Sequence, residues 1–314
     1  MKLIITSLTG MSFNEVYNRN SVFLCREDLL PFSFGGNKAR KALLFFKDIE
    51  QNKSNYIVTY GAVTSNHCRV VANMAAQRNL PCLIISPSNT TADSFNRTIT
   101  ELLGARVKHC ELELVHSTIE ATLHELKQLG YNPYFIPGGG HGNLGTKAYV
   151  LAYEEIKAYE SENDVFFDYI FLASGTGTTQ AGLVCGKLLH NDVTRSIIGI
   201  SIARKNPRAT TVIEESVRNY LNGKGVFKQL GNSIICVDDY ICGGYGSYNQ
   251  DIEDCITTVL DTQGIPLDPI YTGKAFWGMT EYCRKHDVQD KNILFIHTGG
   301  TPLFFDYLSN KRKQ

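Results

Sequence analysis

The chain has 314 residues, 43% of them apolar and 20% charged, with a formal net charge of zero. This is the composition of a globular protein with a sizeable core in one large or two moderate domains. The balanced charge leaves no electrostatic footprint for nucleic acid or a membrane surface. Nine scattered cysteines without a C-x-x-C pair argue against a disulfide frame or a metal site and for a reducing compartment, so a cytoplasmic protein without metal is expected. The start, Met1-Lys2-Leu3-Ile4-Ile5, carries an apolar patch too short for a signal peptide. No apolar run reaches membrane-spanning length. The basic residues Lys311-Arg312-Lys313 read as a solvated tail.

In chain order, residues 22–25 read as a short strand. The stretch Phe34-Gly35-Gly36-Asn37-Lys38-Ala39-Arg40-Lys41 follows. Two glycines permit a tight turn or a close approach to a ligand, Asn37 is a good helix cap, and Ala39, Ala42, Leu43, Phe46 and Ile49 mark the apolar face of a helix ending near Asn52. Lys38 therefore stands at a helix start, where the dipole disfavours an ammonium and favours the neutral amine. An ordinary surface lysine is the alternative.

Tyr56–Tyr60 is a β-rich run. Ser65 and Asn66 open a helix with Cys68, Val71, Ala72 and Ala75 inward. Further strands are expected over 82–86, 106–109 and 134–136, with a helix near 94–103. A second helix is opened by the capping box Ser117-x-x-Glu120 and ends at Gly130. Gly138-Gly139-Gly140, followed by His141-Gly142-Asn143, reads as a hinge. A helix near 144–159 begins a second alternating series, with strands at 169–173, 197–202, 234–237 and 293–297. Helices at 180–190, 212–221, 252–263 and 273–286 lie between or beside them. Alternation of this kind predicts an α/β protein: two open, twisted, mostly parallel sheets, each in a three-layer αβα arrangement, with the active site in the cleft between them. Residues 1–51 and 144–314 are expected to form the larger domain and residues 52–143 a smaller inserted one.

Five segments at element junctions, the Phe34–Lys41 stretch and four more, carry polar groups suited to chemistry. Ala173-Ser174-Gly175-Thr176-Gly177-Thr178-Thr179-Gln180 lies between a strand and a helix, where inward N–H groups, hydroxyls and the helix N-terminus make a phosphate cradle. A glycine turn needed only for packing is the alternative. It is neither a Walker loop nor a full dinucleotide fingerprint. Thr64-Ser65-Asn66-His67 offers a helix N-terminus with a hydroxyl and an amide, suited to a carboxylate, or a plain N-cap serine. Asp268-Pro269-Ile270-Tyr271-Thr272-Gly273-Lys274 opens a helix, and His297-Thr298-Gly299-Gly300-Thr301 follows the last strand. A lysine, a phosphate cradle and a carboxylate pocket together are what pyridoxal phosphate chemistry requires.

These five segments, in order and across almost the whole chain, resemble the D-cysteine desulfhydrase / 1-aminocyclopropane-1-carboxylate (ACC) deaminase family, pyridoxal phosphate enzymes of the tryptophan-synthase-β-like fold, fold type II. The resemblance implies that Lys38 carries the Schiff base and that Asn66 hydrogen-bonds the cofactor's ring hydroxyl. It implies that Lys41, Gly175, Thr176, Gly177, Thr178 and Thr179 hold the phosphate. Ser65, with Asn66 and His67, would hold the substrate carboxylate, Tyr271 would lie against the pyridine ring, and Tyr245 and Thr298 would face the substrate. Lys38, Ser65, Tyr245 and Tyr271 are the implied catalytic groups, and a homodimer is implied as well.

Thr272 would sit opposite the pyridine nitrogen. In the ACC deaminases that place is a glutamate, and leucine stands where this chain has Thr298. A carboxylate keeps the nitrogen protonated, as ring opening of a cyclopropane requires, whereas β-elimination needs a weaker electron sink. The expected reaction is therefore β-elimination from D-cysteine to pyruvate, ammonia and hydrogen sulfide. ACC deamination and elimination or replacement on another β-substituted alanine are the alternatives. A non-catalytic phosphate-ligand-binding homologue is a further one, though an intact Lys38 speaks against it. Where relatives often show glycine-glycine-serine-asparagine, this chain has Gly139-Gly140-His141-Gly142, so His141 is either a titratable group at the cleft or an exposed loop residue.

Overall fold

The structure is a computed structural model and describes residues 3–8, 19–87 and 93–312. Two compact units emerge, one from Met1–Leu30, Phe34–Asn37 and Thr146–Gln314, the other from Pro31–Ser33 and Lys38–Gly145. Met1, Lys2 and Lys313 lie outside the described residues.

The larger unit is built on six strands, β1 (Ile5–Ser7), β2 (Ser21–Arg26), β7 (Tyr169–Ser174), β8 (Ser196–Ser201), β9 (Ile235–Val237) and β10 (Asn292–His297). Their order is β1-β2-β10-β7-β8-β9. Only β1 runs antiparallel, with Thr6 opposite Leu24. β10 lies between β2 and β7, with Leu294 opposite Phe23 and Ile170. Five of the six residues in each of β7 and β10 are buried, the pattern of parallel strands covered on both faces. Phe171, Ile198, Ile200, Phe276 and Phe295 form the fully buried centre of this unit's core. Each such side chain contributes about 1.5–3 kcal/mol on leaving water. Helices approach closely where glycine removes a side chain. A Cβ on Gly182 or Gly186 of helix Thr178–Leu189 would come within 2.4 Å of Tyr149 or Tyr153 on helix Asn143–Asn163.

The smaller unit holds β3 (Tyr56–Tyr60), β4 (Cys82–Pro87), β5 (Arg106–Cys110) and β6 (Pro133–Ile136), all parallel in the order β5-β4-β3-β6. Central β3 is buried from Tyr56 to Thr59, while β5 at the edge is half exposed and carries Arg106, Lys108 and His109. Tyr56, Val58, Ile85, Ile119 and Leu126 form one of its core clusters.

Four sequence expectations change. Residues 38–51 pack with the smaller unit, not the larger. Tyr134 donates to Asp48 at 2.6 Å, Arg78 pairs with Glu50 at 2.8 Å and stands over the Phe46 ring. Within that helix, Asn37–Gln51, Ala39, Ala42, Phe46 and Ile49 are buried as expected, but Leu43 is exposed and Phe45 is buried in addition. Ser117 is no cap: helix Val115–Gln128 starts two residues earlier through the turn Leu112–Leu114, and the Ser117 hydroxyl donates back to the Leu114 carbonyl at 3.0 Å. Lys311 is not tail. It closes an additional helix, Thr301–Lys311, and pairs with Glu253 at 2.7 Å. The signal for this helix was Pro302 near its start, followed by Leu303, Phe304 and Tyr307 on one side.

Candidate active site

In the larger unit, the phosphate-cradle segment leaves β7 at Ser174 and enters helix Thr178–Leu189 through Gly177, whose φ of 85° is left-handed. A Cβ there would also come within 2.8 Å of the Ile213 side chain, so glycine is required twice over. The first intrahelical bond runs from the Ala181 N–H to the Gly177 carbonyl. The N–H groups before it are helix-end donors suited to an anion. Thr178 and Thr179 are buried. Asn37 Nδ2 donates to Thr179 Oγ1 at 3.0 Å, and the Asn37 N–H donates to the Thr298 carbonyl at 3.0 Å. One asparagine thus ties together the Gly35-Gly36-Asn37 turn, the cradle and the segment after β10. The turn is held by close backbone packing. A Cβ on Gly36 would stand 2.6 Å from the Thr298 carbonyl, and one on Gly299 2.6 Å from the Gly36 Cα.

The Asp268–Thr272 turn is closed by Asp268. Its carboxylate accepts the N–H groups of Ile270, Tyr271 and Thr272 at 2.8–3.1 Å and the Thr272 hydroxyl at 2.8 Å. Four donors fill the four lone-pair sites of a carboxylate. Thr272 Oγ1 in turn accepts the Asp268 N–H at 2.8 Å. Tyr271 begins the following helix, Thr272–Lys285. Its hydroxyl lies 2.8 Å from that of Tyr245, and the two rings meet edge to face at 6.0 Å. Thr298 is buried. Of the expected site residues, Gly175, Thr176, Gly177, Thr178, Thr179, Tyr245, Tyr271, Thr272 and Thr298 therefore belong to this unit.

The smaller unit carries Lys38, Lys41, Ser65, Asn66 and His67. Lys38 is half-buried, and its Nζ donates to the Gly139 carbonyl at 3.3 Å. Its pKa falls to about 8, and the cause is burial of the ammonium, not the helix start invoked from sequence. Lys41 is buried, and its pKa is lowered first by burial and then by the charge on Lys38. His141 is exposed.

Ser65 caps helix Asn66–Ala76, accepting the Cys68 N–H at 3.2 Å. That leaves the Asn66 and His67 N–H groups at an open helix start. Asn66 Oδ1 accepts from Arg69 Nη1 at 2.8 Å and Asn96 Nδ2 at 3.0 Å. Its amide is thereby oriented, and its NH₂ group is the end left for a ligand acceptor. Arg69 also donates to Asn96 Oδ1 and to the Ser33 carbonyl, and Asn96 Nδ2 to the Thr64 carbonyl.

The His67 side chain is engaged within this unit. Thr59 gives its only hydroxyl proton to the Ile136 carbonyl at 2.7 Å, so the His67 Nε2 at 2.8 Å must be the donor to Thr59 Oγ1. Burial, followed by the charges of Lys38 and Lys41, lowers its pKa to about 3, so the ring is neutral. Its side chain supports the turn, and only its backbone N–H offers a donor to an anion. Arg69, Asn96 and Asp268 were missed as supporting residues. Arg69 and Asp268 lie inside recognisable motifs, but nothing local marks Asn96.

The donors of each unit suit pyridoxal phosphate: the smaller offers a lysine held partly as free amine and an oriented amide NH₂, the larger a glycine-threonine helix start for a phosphate. Comparison with known proteins agrees. Residues 6–299 match the family profile of pyridoxal-phosphate dependent enzymes. A crystal structure described as an ACC deaminase homologue is similar over 100% of this chain and 94% of its own, with 30% identity and a TM-score of 0.88. A hydrogen sulfide-producing enzyme from Fusobacterium nucleatum shares the fold at 17% identity and a TM-score of 0.65, over 95% of this chain and 94% of its own. A fungal L-serine ammonia-lyase from Rhizomucor miehei does so at 16% identity and a TM-score of 0.68, over 100% of this chain and 98% of its own. The chain belongs to the pyridoxal-phosphate dependent enzymes, in the fold type II group that includes ACC deaminase-like proteins.

Proposed function

We propose that the protein is a lyase that eliminates the β-substituent of a small D-amino acid, with D-cysteine as substrate: D-cysteine and water give pyruvate, ammonia and hydrogen sulfide. The observation that carries this choice is the Thr272 hydroxyl, whose one proton is committed to Asp268. Opposite the ring nitrogen, such a hydroxyl lends no proton, which suits elimination better than cyclopropane opening.

Pyridoxal phosphate, when bound, withdraws electrons from the Cα of an amino acid attached to it. The chain's own residues do the rest. Lys38 would anchor the cofactor through its amine and take the proton from the substrate Cα, a role suited to an amine with a pKa of about 8. Ser65 and the N–H groups of Asn66 and His67 would receive the substrate carboxylate. The Asn66 NH₂ group would donate to the ring hydroxyl. Lys41 and the segment from Gly175 to Thr179 would serve the phosphate. Tyr271 would lie against the ring, and Tyr245, whose hydroxyl lies 2.8 Å from that of Tyr271, would face the substrate. We extend the proposal to a homodimer in the cytoplasm. The nine cysteines, none of them in a disulfide, support the reducing compartment.

The similar ACC deaminase homologue favours a second reading, deamination of ACC. The test is to incubate the cofactor-loaded protein with D-cysteine, L-cysteine and ACC in turn, assaying sulfide, pyruvate and ammonia. Sulfide with pyruvate from the D-isomer is expected. Ammonia from ACC with no sulfide from D-cysteine would overturn the choice in favour of the second reading.

A further inference from the structure

Lys274 is the third residue of helix Thr272–Lys285, and none of it reaches solvent. Its Nζ donates to three backbone carbonyls: Ile202 at 3.1 Å, Ile241 at 2.9 Å and Gly244 at 2.9 Å. Ile202 directly follows β8, while Ile241 and Gly244 lie in the loop after β9. The loop reaches this arrangement by an unusual backbone. Cys242, Gly243, Gly244 and Gly246 have φ of 50°, 89°, 135° and 83°. Left-handed residues in near succession turn the loop tightly, and the Ile241 carbonyl also accepts the Gly244 N–H at 3.0 Å.

Three converging carbonyl oxygens repel one another unless a donor or cation stands among them. A neutral amine has two N–H groups, whereas three acceptors at these distances need the three of an ammonium. Neutral carbonyl oxygens that replace a hydration shell are also the donor set that holds a dehydrated monovalent cation such as potassium. A divalent ion would call for carboxylates or retained water instead.

We propose that Lys274 is a tethered monovalent cation: its ammonium fills a carbonyl cage that, without it, binds free potassium or ammonium, and in doing so positions the loop bearing Tyr245. Tyr245 directly follows the cage carbonyl of Gly244, and Tyr271 lies three residues before Lys274. The ammonium therefore fixes both sides of the 2.8 Å contact between the two hydroxyls. Lys274 is a positioning residue, and its importance for turnover rests on the elimination chemistry proposed above.

The test uses the cofactor-loaded enzyme at constant ionic strength in tetramethylammonium chloride, replaced stepwise by lithium, potassium or ammonium chloride. Thermal unfolding and D-cysteine turnover are both read. The wild type should respond to none of these exchanges. Lys274→Ala should lose about tenfold to a hundredfold in kcat/KM through misplacement of the tyrosine. Its midpoint and its activity should recover saturably with potassium or ammonium and not with lithium. Lys274→Met, which fills the space without charge, should be impaired and not rescued. Lack of ion selectivity in Lys274→Ala, or potassium selectivity already in the wild type, overturns the proposal. The unfolding readout needs no substrate, so it decides the cage even if D-cysteine proves not to be turned over. Should the alanine variant fail to fold in every salt, the wild type decides: a slowly exchanging lysine ammonium signal in its ¹⁵N spectrum at pH 7 is required, and its absence overturns the cage.

Discussion

Thr272 and Asp268 hold each other twice: the Thr272 hydroxyl donates to the Asp268 carboxylate at 2.8 Å and accepts the Asp268 N–H at 2.8 Å. Both residues are buried, so neither bond is exchanged cheaply with water. Thr272→Val keeps the shape but strands the Asp268 N–H and removes one carboxylate donor. It should cost about 1–3 kcal/mol in urea unfolding, and Thr272→Ser should restore most of it. An unchanged urea midpoint in the valine variant would show that the hydroxyl is not committed as described.

The amide of Asn66 is oriented by Arg69 and Asn96. Asn96→Leu removes one donor to Asn66 Oδ1 and leaves Arg69 with one acceptor fewer. Affinity for pyridoxal phosphate should fall about fivefold to fiftyfold, equivalent to about 1–2 kcal/mol. Equilibrium titration followed by visible absorption measures this directly, with no substrate present. Equal affinity in wild type and variant would mean that the amide orients itself.

Lys38 should be titratable near neutrality. Burial lowers its pKa to about 8, so the free amine forms as pH rises through that value and not near the ordinary lysine range. The rate of attachment of added pyridoxal phosphate to the apo protein should rise between pH 6.5 and 8 and level off above about 8.5, as a group of that pKa dictates. Stopped-flow absorbance gives the profile. A rate still climbing tenfold per pH unit at pH 9.5 would place the amine at its solution value. Lys38→Ala should show no attachment at any pH.

His67 carries the opposite sign from a surface histidine. Its pKa is lowered to about 3 in the folded protein, against about 6.5 in the unfolded chain. Between these values the unfolded state binds the proton and the folded state does not. Stability is therefore fully present above about pH 6.5 and is lost progressively as pH falls toward 3, by on the order of a few kcal/mol. His67→Gln, whose amide NH₂ can still donate to Thr59, should flatten that part of the profile. Urea midpoints at pH 4, 5, 6 and 7 test it. Parallel slopes for the two proteins would assign the acid sensitivity to other groups.

Much of the fold was legible because it is written locally. The buried runs at β3, β7, β8 and β10, the Ser65 cap and the glycines at 36 and 177 each announce themselves within a few residues of sequence. The site motifs were legible for the same reason, since a strand-to-helix turn with glycines and hydroxyls has few uses. Helix Asn37–Gln51 shows where this stops. Its period predicts a helix, yet whether Leu43 or Phe45 is buried depends on which neighbours it meets, Tyr134 and Arg78 among them.

The amino-acid order alone determined the alternation of strands and helices and the family, and it singled out Lys38 as the proposed anchor. These rest on side-chain periodicity and turn chemistry, which act over three or four residues. Only the tertiary structure decided the partnerships. Asn37 reaches Thr179 across 142 positions, Arg69 reaches Asn96 across 27, Tyr245 reaches Tyr271 across 26, and Lys274 gathers carbonyls 30 to 72 residues away. The same holds for the proton on His67 and the pKa of Lys38. The first follows from desolvation and neighbouring charge and the second from desolvation, which exist only once separate turns have been brought together by the crossovers of a parallel sheet.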